Sequence, residues 1–182
     1  MLQMHLCLDP VLREVAAPVA AIDDAVLDAL DQMTRMMDAQ NGVGLAAPQV
    51  GISRRFCVIR DIKSIPKGGT FEDAPILKMI NPIITARSDD VVTKEEGCLS
   101  ILGPDDLPVY ADVVRPARVT VEWTDEKGNR NIREFSGFAA RIAQHEIDHL
   151  DGVLFIDHIS SLKREMIMRK VKKRSKVGER RA

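Results

Sequence analysis

The chain has 182 residues, 45% of them apolar, which is enough for one compact domain with a well-formed core. Its formal charge of -1 argues against a nucleic-acid-binding protein and against an acidic tail protein. No apolar stretch approaches the roughly 20 residues that cross a bilayer, and no signal-peptide pattern opens the chain. Cys7, Cys57 and Cys98 lack disulfide-like spacing, so we expect a reducing, cytoplasmic setting without membrane contact.

The charge is distributed unevenly along the chain. Residues 163–181 contain ten Lys or Arg and two Glu, a net charge of +8, which leaves -9 on the remainder. We therefore divide the chain into a main domain, residues 1–160, and a basic C-terminal helix or tail of the same domain, residues 161–182.

The first predicted element is a helix that Asp23 caps. Its apolar residues recur at helical spacing, and Asn41-Gly42 ends it; they are Val26, Leu27, Leu30, Met33, Met36 and Met37. The Gly- and Ala-rich residues 42–49 follow and make a poor helix, which indicates close approach of another group to this backbone. Phe56–Ile59 is typical of a strand.

The middle of the chain is mostly strand. Residues 64–73 form a predicted loop, residues 77–86 are β-like, and residues 119–123 and 132–135 flank a hairpin turn at 125–129. A helix is predicted from Phe138 to Leu150, with Gly152 after it, and an amphipathic basic helix from Ser160 that frays towards Ala182. The fold class is α+β, with mixed or antiparallel sheets around a central helix and a C-terminal helix.

The central helix carries the pattern His145-Glu146-Ile147-Asp148-His149. Residues four apart share a helix face, so both imidazoles can bind one metal ion with Glu146 beside its open position. The alternative is a chance pair of surface histidines. No third ligand is apparent downstream, because the longer metalloprotease motif would need His where Phe155 stands.

Upstream, Glu96-Gly97-Cys98-Leu99-Ser100 places a lone thiol in a sharp turn, and such a cysteine is more often structural than functional. Together, residues 42–49, 96–100 and 144–149 resemble the three signature motifs of the peptide deformylases in order and spacing. Residues 9–16 and 141–143 are similar to that family as well. The resemblance covers most of the chain.

The resemblance implies a metal-dependent hydrolase that removes the formyl group from the N-terminal formylmethionine of new peptides and releases formate. Cys98, His145 and His149 would bind one divalent ion, which is Fe²⁺ in the family, with Zn, Ni or Co as substitutes. Glu146 would act as the base. The side-chain amide of Gln49 and the backbone N–H of Leu99 would bind the oxyanion.

The resemblance also assigns residues around these groups. Val43, Gly44 and Leu45 would hold the peptide main chain, and Phe138 and Ile142 would line the methionine pocket, with His145 beside them. Glu96 and Asp148 would orient the metal ligands, although either could be an ordinary structural carboxylate.

One segment departs from the family pattern. Residues 101–110 lack the usual Pro and Arg, are longer, and contain two aspartates, so peptide preference could differ and a specialised paralogue stays possible. The basic C-terminal helix could bind the ribosome near the exit tunnel, or could only pack on the domain. No specific DNA partner is expected.

Two other functions are compatible with the residues alone. A zincin-type endopeptidase would need Glu165 or His158 as its third ligand. A ribosome- or RNA-associated binding module would use the metal only for structure, and would not depend on Glu146.

Overall fold

The computed structural model describes residues 2–179 and has an α+β architecture. Its helices are α1 (Asp24–Ala39), α2 (Gly137–Leu150) and α3 (Ser161–Glu179). Its strands are β1 (Gly44–Ala46), β2 (Phe56–Arg60), β3 (Ile76–Arg87), β4 (Val91–Glu96), β5 (Ala111–Pro116), β6 (Arg118–Thr124) and β7 (Arg130–Ser136). The predicted fold class is confirmed.

The strands form two antiparallel sheets. One has five strands in the order β1-β2-β3-β6-β7, and the other pairs β4 with β5. Strand β1 is an edge of the larger sheet. The backbone oxygen of Val43, which directly precedes β1, accepts a hydrogen bond from the backbone N–H of Arg60 in β2. Because backbone groups alternate in direction along a strand, those of Gly44 point away from β2, towards the open edge.

Helix α2 lies centrally, and its apolar face packs on the larger sheet. Ala143, Ile147 and Leu150 share one buried cluster with Val121 and Phe135 of β6 and β7. Gly152 ends the helix with φ of +71°, and a Cβ there would lie 2.6 Å from the oxygen of Arg13. Glycine at this position therefore permits both the left-handed turn and the close backbone contact.

Helix α1 packs as the sequence predicts, whereas α3 leaves exposed Leu162 and Met166, two of the four apolar residues that the sequence predicts for its amphipathic face. Asp23 accepts a 2.8 Å hydrogen bond from the N–H of Val26 at the start of α1, and Met33 and Met37 are fully buried. Helix α3 buries Ile167 and Val171. The predicted fraying towards Ala182 lies outside the described residues. In residues 2–179 no helix combines the length and the apolar character that crossing a bilayer requires.

The sequence missed two features of the fold. Strands β4 and β5 were not predicted individually, and the predicted loop at 64–73 includes a short 3₁₀ turn at Phe71–Asp73. Strand β4 was missed because five of its six residues are exposed, so no alternation of apolar residues marks it.

Candidate metal centre

Two parts of the fold bring three ligand atoms together. His145 and His149 lie on one face of α2, and Cys98 follows directly after β4. One donor atom from each of these residues lies within 4.8 Å of the other two, and the sulfur of Cys98 is 3.2 Å from Nε2 of His149. Cys98 and His149 are buried. The two predicted helix ligands and the predicted thiol ligand therefore share one site.

The donor set suits a divalent metal ion. One thiolate and two imidazoles leave a tetrahedral ion one open position, and this mixed sulfur and nitrogen set is compatible with Fe²⁺, Zn²⁺, Co²⁺ or Ni²⁺. In the described part of the chain, Oε2 of Glu146 is a buried oxygen without a hydrogen-bond partner. A buried carboxylate oxygen needs a donor, and a water on the ion would supply one. The residues thus fit the ion.

Glu146 is held beside the cluster in a dry environment. The residue is 3% exposed, and burial raises its pKa to about 7, although the neighbouring charge of His145 acts in the opposite direction. A pKa near neutrality suits a group that accepts and returns a proton. A Cβ on Gly44 would collide with the Glu146 carboxylate. Glycine in this run therefore leaves room for the carboxylate.

A buried ionic network supports His145 from behind. Oε2 of Glu96 lies 3.1 Å from Nδ1 of His145, and Arg115 of β5 makes two hydrogen bonds to the Glu96 carboxylate, of 2.6 and 2.9 Å. Arg141 adds a third, of 2.5 Å. Burial alone would raise the pKa of Glu96, but the hydrogen bonds from His145 and Arg115 outweigh it and hold that pKa far below its usual range. Glu96 is therefore an ionised partner that orients the ring.

Asp148 supports the site one step further away. Its carboxylate accepts from Arg115 at 2.6 Å and lies 2.8 Å from Nε2 of His158. Neither of these partners is one of the three proposed metal ligands. Asp148 instead contacts Arg115, the arginine that pairs with Glu96. Arg115 was not predicted as a site residue, because β5, in which Val113 and Arg115 are both buried, was not predicted as a strand. Once β5 is placed, an arginine in an inward position of the strand is the signal.

Gln49 adjoins the cluster from a 3₁₀ turn after β1. Its oxygen accepts from the N–H of Ala46 at 2.9 Å, and its Nε2 is 3.1 Å from Oγ of Ser100 and 3.5 Å from the Cys98 sulfur. The side chain is 2% exposed. Leu99 follows Cys98 in a turn, and Leu99, Cys98 and Gln49 line one cavity.

Comparison with known proteins agrees with this geometry. The family described as polypeptide deformylase matches residues 1–165. The chain belongs to this family. It is 49% identical over 166 residues to the peptide deformylase of Brucella suis, covering 91% of this chain and 88% of the relative. It is 46% identical to that of Agrobacterium fabrum over 165 residues, with 91% of each chain covered.

Solved deformylases share the fold. The structure from Ehrlichia chaffeensis has a TM-score of 0.85 and 34% identity, with 98% of each chain covered. The structure from Synechococcus elongatus, in complex with actinonin, has a TM-score of 0.80 and 39% identity, covering 94% of this chain and 86% of that one. The chain is accordingly a deformylase, an enzyme that hydrolyses the formyl group from N-terminal formylmethionine of new peptides.

A cavity of about 270 Å³ opens onto the deformylase site. The predicted residues that line it are Val43, Gly44, Gln49, Glu96, Cys98, Leu99, Phe138, Ile142, His145 and Glu146. Leu45 does not line it, because its side chain is fully buried in the cluster beneath α1. Pro108 and Tyr110 of the atypical loop line it as well.

The loop aspartates lie away from this deformylase cavity. Asp106 bonds Arg174 of α3 at 2.7 Å, and neither Asp105 nor Asp106 lines the site cavity. The ligands that an endopeptidase would need are also elsewhere. His158 pairs with Asp148, and Glu165 is exposed beside Arg169. Neither His158 nor Glu165 is therefore placed as the third ligand that the zincin alternative needs, whereas Cys98 lies with the two histidines.

Proposed function

We propose that Cys98, His145 and His149 bind one divalent ion and that the surrounding residues carry out deformylation. The single observation behind this assignment is that these three donors, Glu146 and Gln49 all line or adjoin one cavity. Fe²⁺ is the expected metal, with Zn, Ni or Co as substitutes, because thiolate and imidazole donors accept all four. When bound, the ion supplies an acidified water and polarises the formyl carbonyl.

Glu146 is the proposed proton carrier. It takes a proton from the attacking water and returns it to the amine that leaves, a double role for which its pKa of about 7 is suited. Its burial keeps bulk water from competing for that proton.

Gln49 and Leu99 are the proposed oxyanion donors. Nε2 of Gln49 lies 3.5 Å from the Cys98 sulfur, and Gln49 and Leu99 both line the cavity at the cluster. A donor already in place at the developing charge contributes a factor of about 10² to 10³ in kcat.

The peptide is proposed to bind along the open edge of β1. The backbone of Gly44 points to this edge, with Val43 and Leu45 as its neighbours in the strand. Phe138 and Ile142 form the apolar side of the cavity, which suits the unbranched methionine side chain. The Ile101–Tyr110 loop contributes Pro108 and Tyr110 to the rim, so residues after methionine are where any difference in preference is expected.

Formate release tests this function. Protein loaded with Fe²⁺ under oxygen-free conditions is given formyl-Met-Ala-Ser. Both the formate released and the metal content of the protein are measured. We expect Glu146→Gln to keep the metal and lose about 10²- to 10⁴-fold in kcat. Cys98→Ala should lose the metal itself. Release that persists in metal-bound Glu146→Gln would contradict the proton-carrier role and favour a purely structural metal.

We also propose that residues 1–160 form the catalytic domain and that the basic helix, residues 161–182, adds a ribosome-binding face. Its buried residues Ile167 and Val171 hold it on the domain, whereas Lys170, Lys172 and Lys173 face outwards. Basic side chains on one face suit ribosomal RNA phosphates. The three free cysteines, one of them the proposed thiolate ligand, support a reducing, cytoplasmic setting for the enzyme.

A charge reversal tests ribosome binding better than a deletion. Removing residues from Lys170 onward would also remove buried Val171, whereas Lys172→Glu with Lys173→Glu keeps the core. We expect weaker ribosome binding and a shallower salt dependence from the double variant, with formate release from free peptide unchanged. Equal affinity and salt slope for both proteins would mean that the helix only packs on the domain.

A further inference from the structure

Ser100 is a buried residue at the junction of the metal ligand, the oxyanion donor and the N-terminal segment. Its side chain is fully buried, and its backbone N–H lies 3.4 Å from the sulfur of Cys98. Its hydroxyl oxygen accepts from Nε2 of Gln49 at 3.1 Å. The deformylase activity described above gives this residue no role.

The Gln49 carboxamide has only one orientation in this setting. The N–H of Ala46 is a donor and cannot accept, so the carboxamide oxygen must face Ala46 and Nε2 must face the cluster. Nε2 has two hydrogens. One points to Ser100, and the other lies on the side of the Cys98 sulfur, where the reaction takes place. Ser100 thus sets the direction of the remaining N–H.

The hydroxyl of Ser100 is itself oriented by the N-terminal segment. Its O–H donates to the sulfur of Met4, with 3.7 Å between oxygen and sulfur, so an oxygen lone pair is free to accept from Gln49. The backbone completes the arrangement. The backbone N–H of His5 donates to the backbone oxygen of Gln49, and the backbone N–H of Cys7 donates to the backbone oxygen of Ser100, both at 2.8 Å. Residues 4–7 therefore connect the turn that contains Gln49 to the turn that contains Ser100.

We propose that Ser100 is a positioning residue that aims the Nε2 donor of Gln49 at the oxyanion, and that residues 4–7 hold Ser100 in place. The inference rests on the proposed role of Gln49. Without the hydroxyl, a buried amide hydrogen loses its acceptor, and the carboxamide is held at its oxygen by Ala46 but less firmly at Nε2. A donor that is held less firmly binds the oxyanion less well. Because the oxyanion forms only on the way to the transition state, the loss falls on kcat more than on KM.

A double-mutant cycle between Ser100 and Gln49 tests the inference. Formate release is measured for the intact enzyme, Ser100→Ala, Gln49→Ala and the double variant, each with its metal content and melting temperature. We expect Gln49→Ala to lower kcat by about 10² and Ser100→Ala by about 10-fold, with KM changed less than about twofold. In the Gln49→Ala background the second substitution should change kcat by less than about twofold, because its target is gone.

Three further variants separate positioning from packing. Ser100→Thr keeps the hydroxyl and should restore most of kcat, and Met4→Leu keeps the bulk without the sulfur and should lower kcat by about two- to threefold. Thr34→Val removes a comparable hydroxyl, bonded to the oxygen of Leu30 in α1, and should leave kcat unchanged. If Ser100→Ala does not fold, Met4→Leu takes its place in the cycle.

The outcomes distinguish two failures. Equal losses from Ser100→Ala in both backgrounds, or a Ser100→Thr enzyme as slow as Ser100→Ala, would overturn the inference while Gln49 keeps its role. An unchanged kcat in metal-bound Gln49→Ala would overturn the proposed role of Gln49 together with this inference.

Discussion

At the scale of single residues, Arg115 connects two acidic side chains that lie far apart in the sequence. It is 4% exposed and pairs with Glu96, which contacts the ring of His145, and with Asp148 on α2. A buried pair is weak evidence for stability, but removing one partner leaves an uncompensated buried charge. The arginine therefore matters to both folding and metal binding.

Replacing Arg115 with Ala should damage both properties. We expect a loss of about 3–5 kcal/mol in the free energy of unfolding and about 10- to 100-fold weaker metal binding, since Glu96 would no longer be fixed against His145. Urea unfolding and metal titration measure the two effects. Arg118→Ala, which removes an exposed pair with Asp90, is the control and should change neither. A wild-type metal affinity in Arg115→Ala would contradict the link through Glu96.

At the scale of secondary structure, local signals were enough for the helices and the hairpin. The Asp23 cap, the apolar spacing of α1 and the turn at 125–129 are each contained in a few adjacent residues, and each prediction is confirmed. The ligand spacing on α2 is local too. Arg115 and Ser100 could not be assigned this way, because their partners come from elements far apart in the chain.

An ion pair also connects separate strands outside the site. Asp61, directly after β2, is 4% exposed and receives two hydrogen bonds from Arg133 of β7, of 2.6 and 2.8 Å. The hydrogen bonds from Arg133 lower the pKa of Asp61 below its usual value. A native pKa below the unfolded one means that the carboxylate stabilises the fold above about pH 4. This contribution disappears as the pH falls through the native pKa.

Asp61→Asn should therefore remove part of the acid sensitivity. At pH 7 we expect a loss of about 1–3 kcal/mol in the free energy of unfolding, and a smaller difference from the intact protein near about pH 3. Urea midpoints at the two pH values measure this. Asp90→Asn serves as the control, since Asp90 is exposed and its pair with Arg118 should contribute little. A difference that grows on acidification would contradict the sign.

Helix α3 offers adjacent residues with opposite environments. Ile167 is 6% exposed, in a cluster with Phe155 and Ile156, whereas Met166 is 56% exposed. Ile167→Ala should cost about 2–4 kcal/mol through lost burial and a cavity, and Met166→Ala should cost less than about 0.5 kcal/mol. Thermal or urea unfolding measures both. Equal effects at the two positions would mean that α3 does not pack as described.

At the scale of the whole molecule, the three proposed metal ligands come from parts of the chain that also meet through packing and through the ion pairs of Glu96 and Arg115. Cys98 follows the smaller sheet and His145 and His149 lie on α2, so one ion would connect the two. An ion that binds only the native state stabilises it in proportion to the logarithm of its concentration. Metal binding and global stability should therefore be coupled.

Removing the metal should lower the melting temperature. At a metal concentration about 100 times the Kd, binding contributes about 2.7 kcal/mol, which corresponds to about 5–10 °C for a chain of this size. Calorimetry with and without a chelator measures the shift. It should persist in Glu146→Gln and vanish in Cys98→Ala. A chelator shift of the same size in Cys98→Ala would place the ion elsewhere.

Gly44 limits how this enzyme could evolve resistance to an inhibitor. Every other amino acid carries a Cβ, and a Cβ at this position collides with the Glu146 carboxylate. An inhibitor that binds the backbone N–H and C=O of Gly44 thus contacts atoms that no amino-acid substitution removes. Substitution at position 44 would displace the carboxylate of Glu146, the proposed base, so we expect resistant variants to arise at the outer rim, at Pro108 or Tyr110.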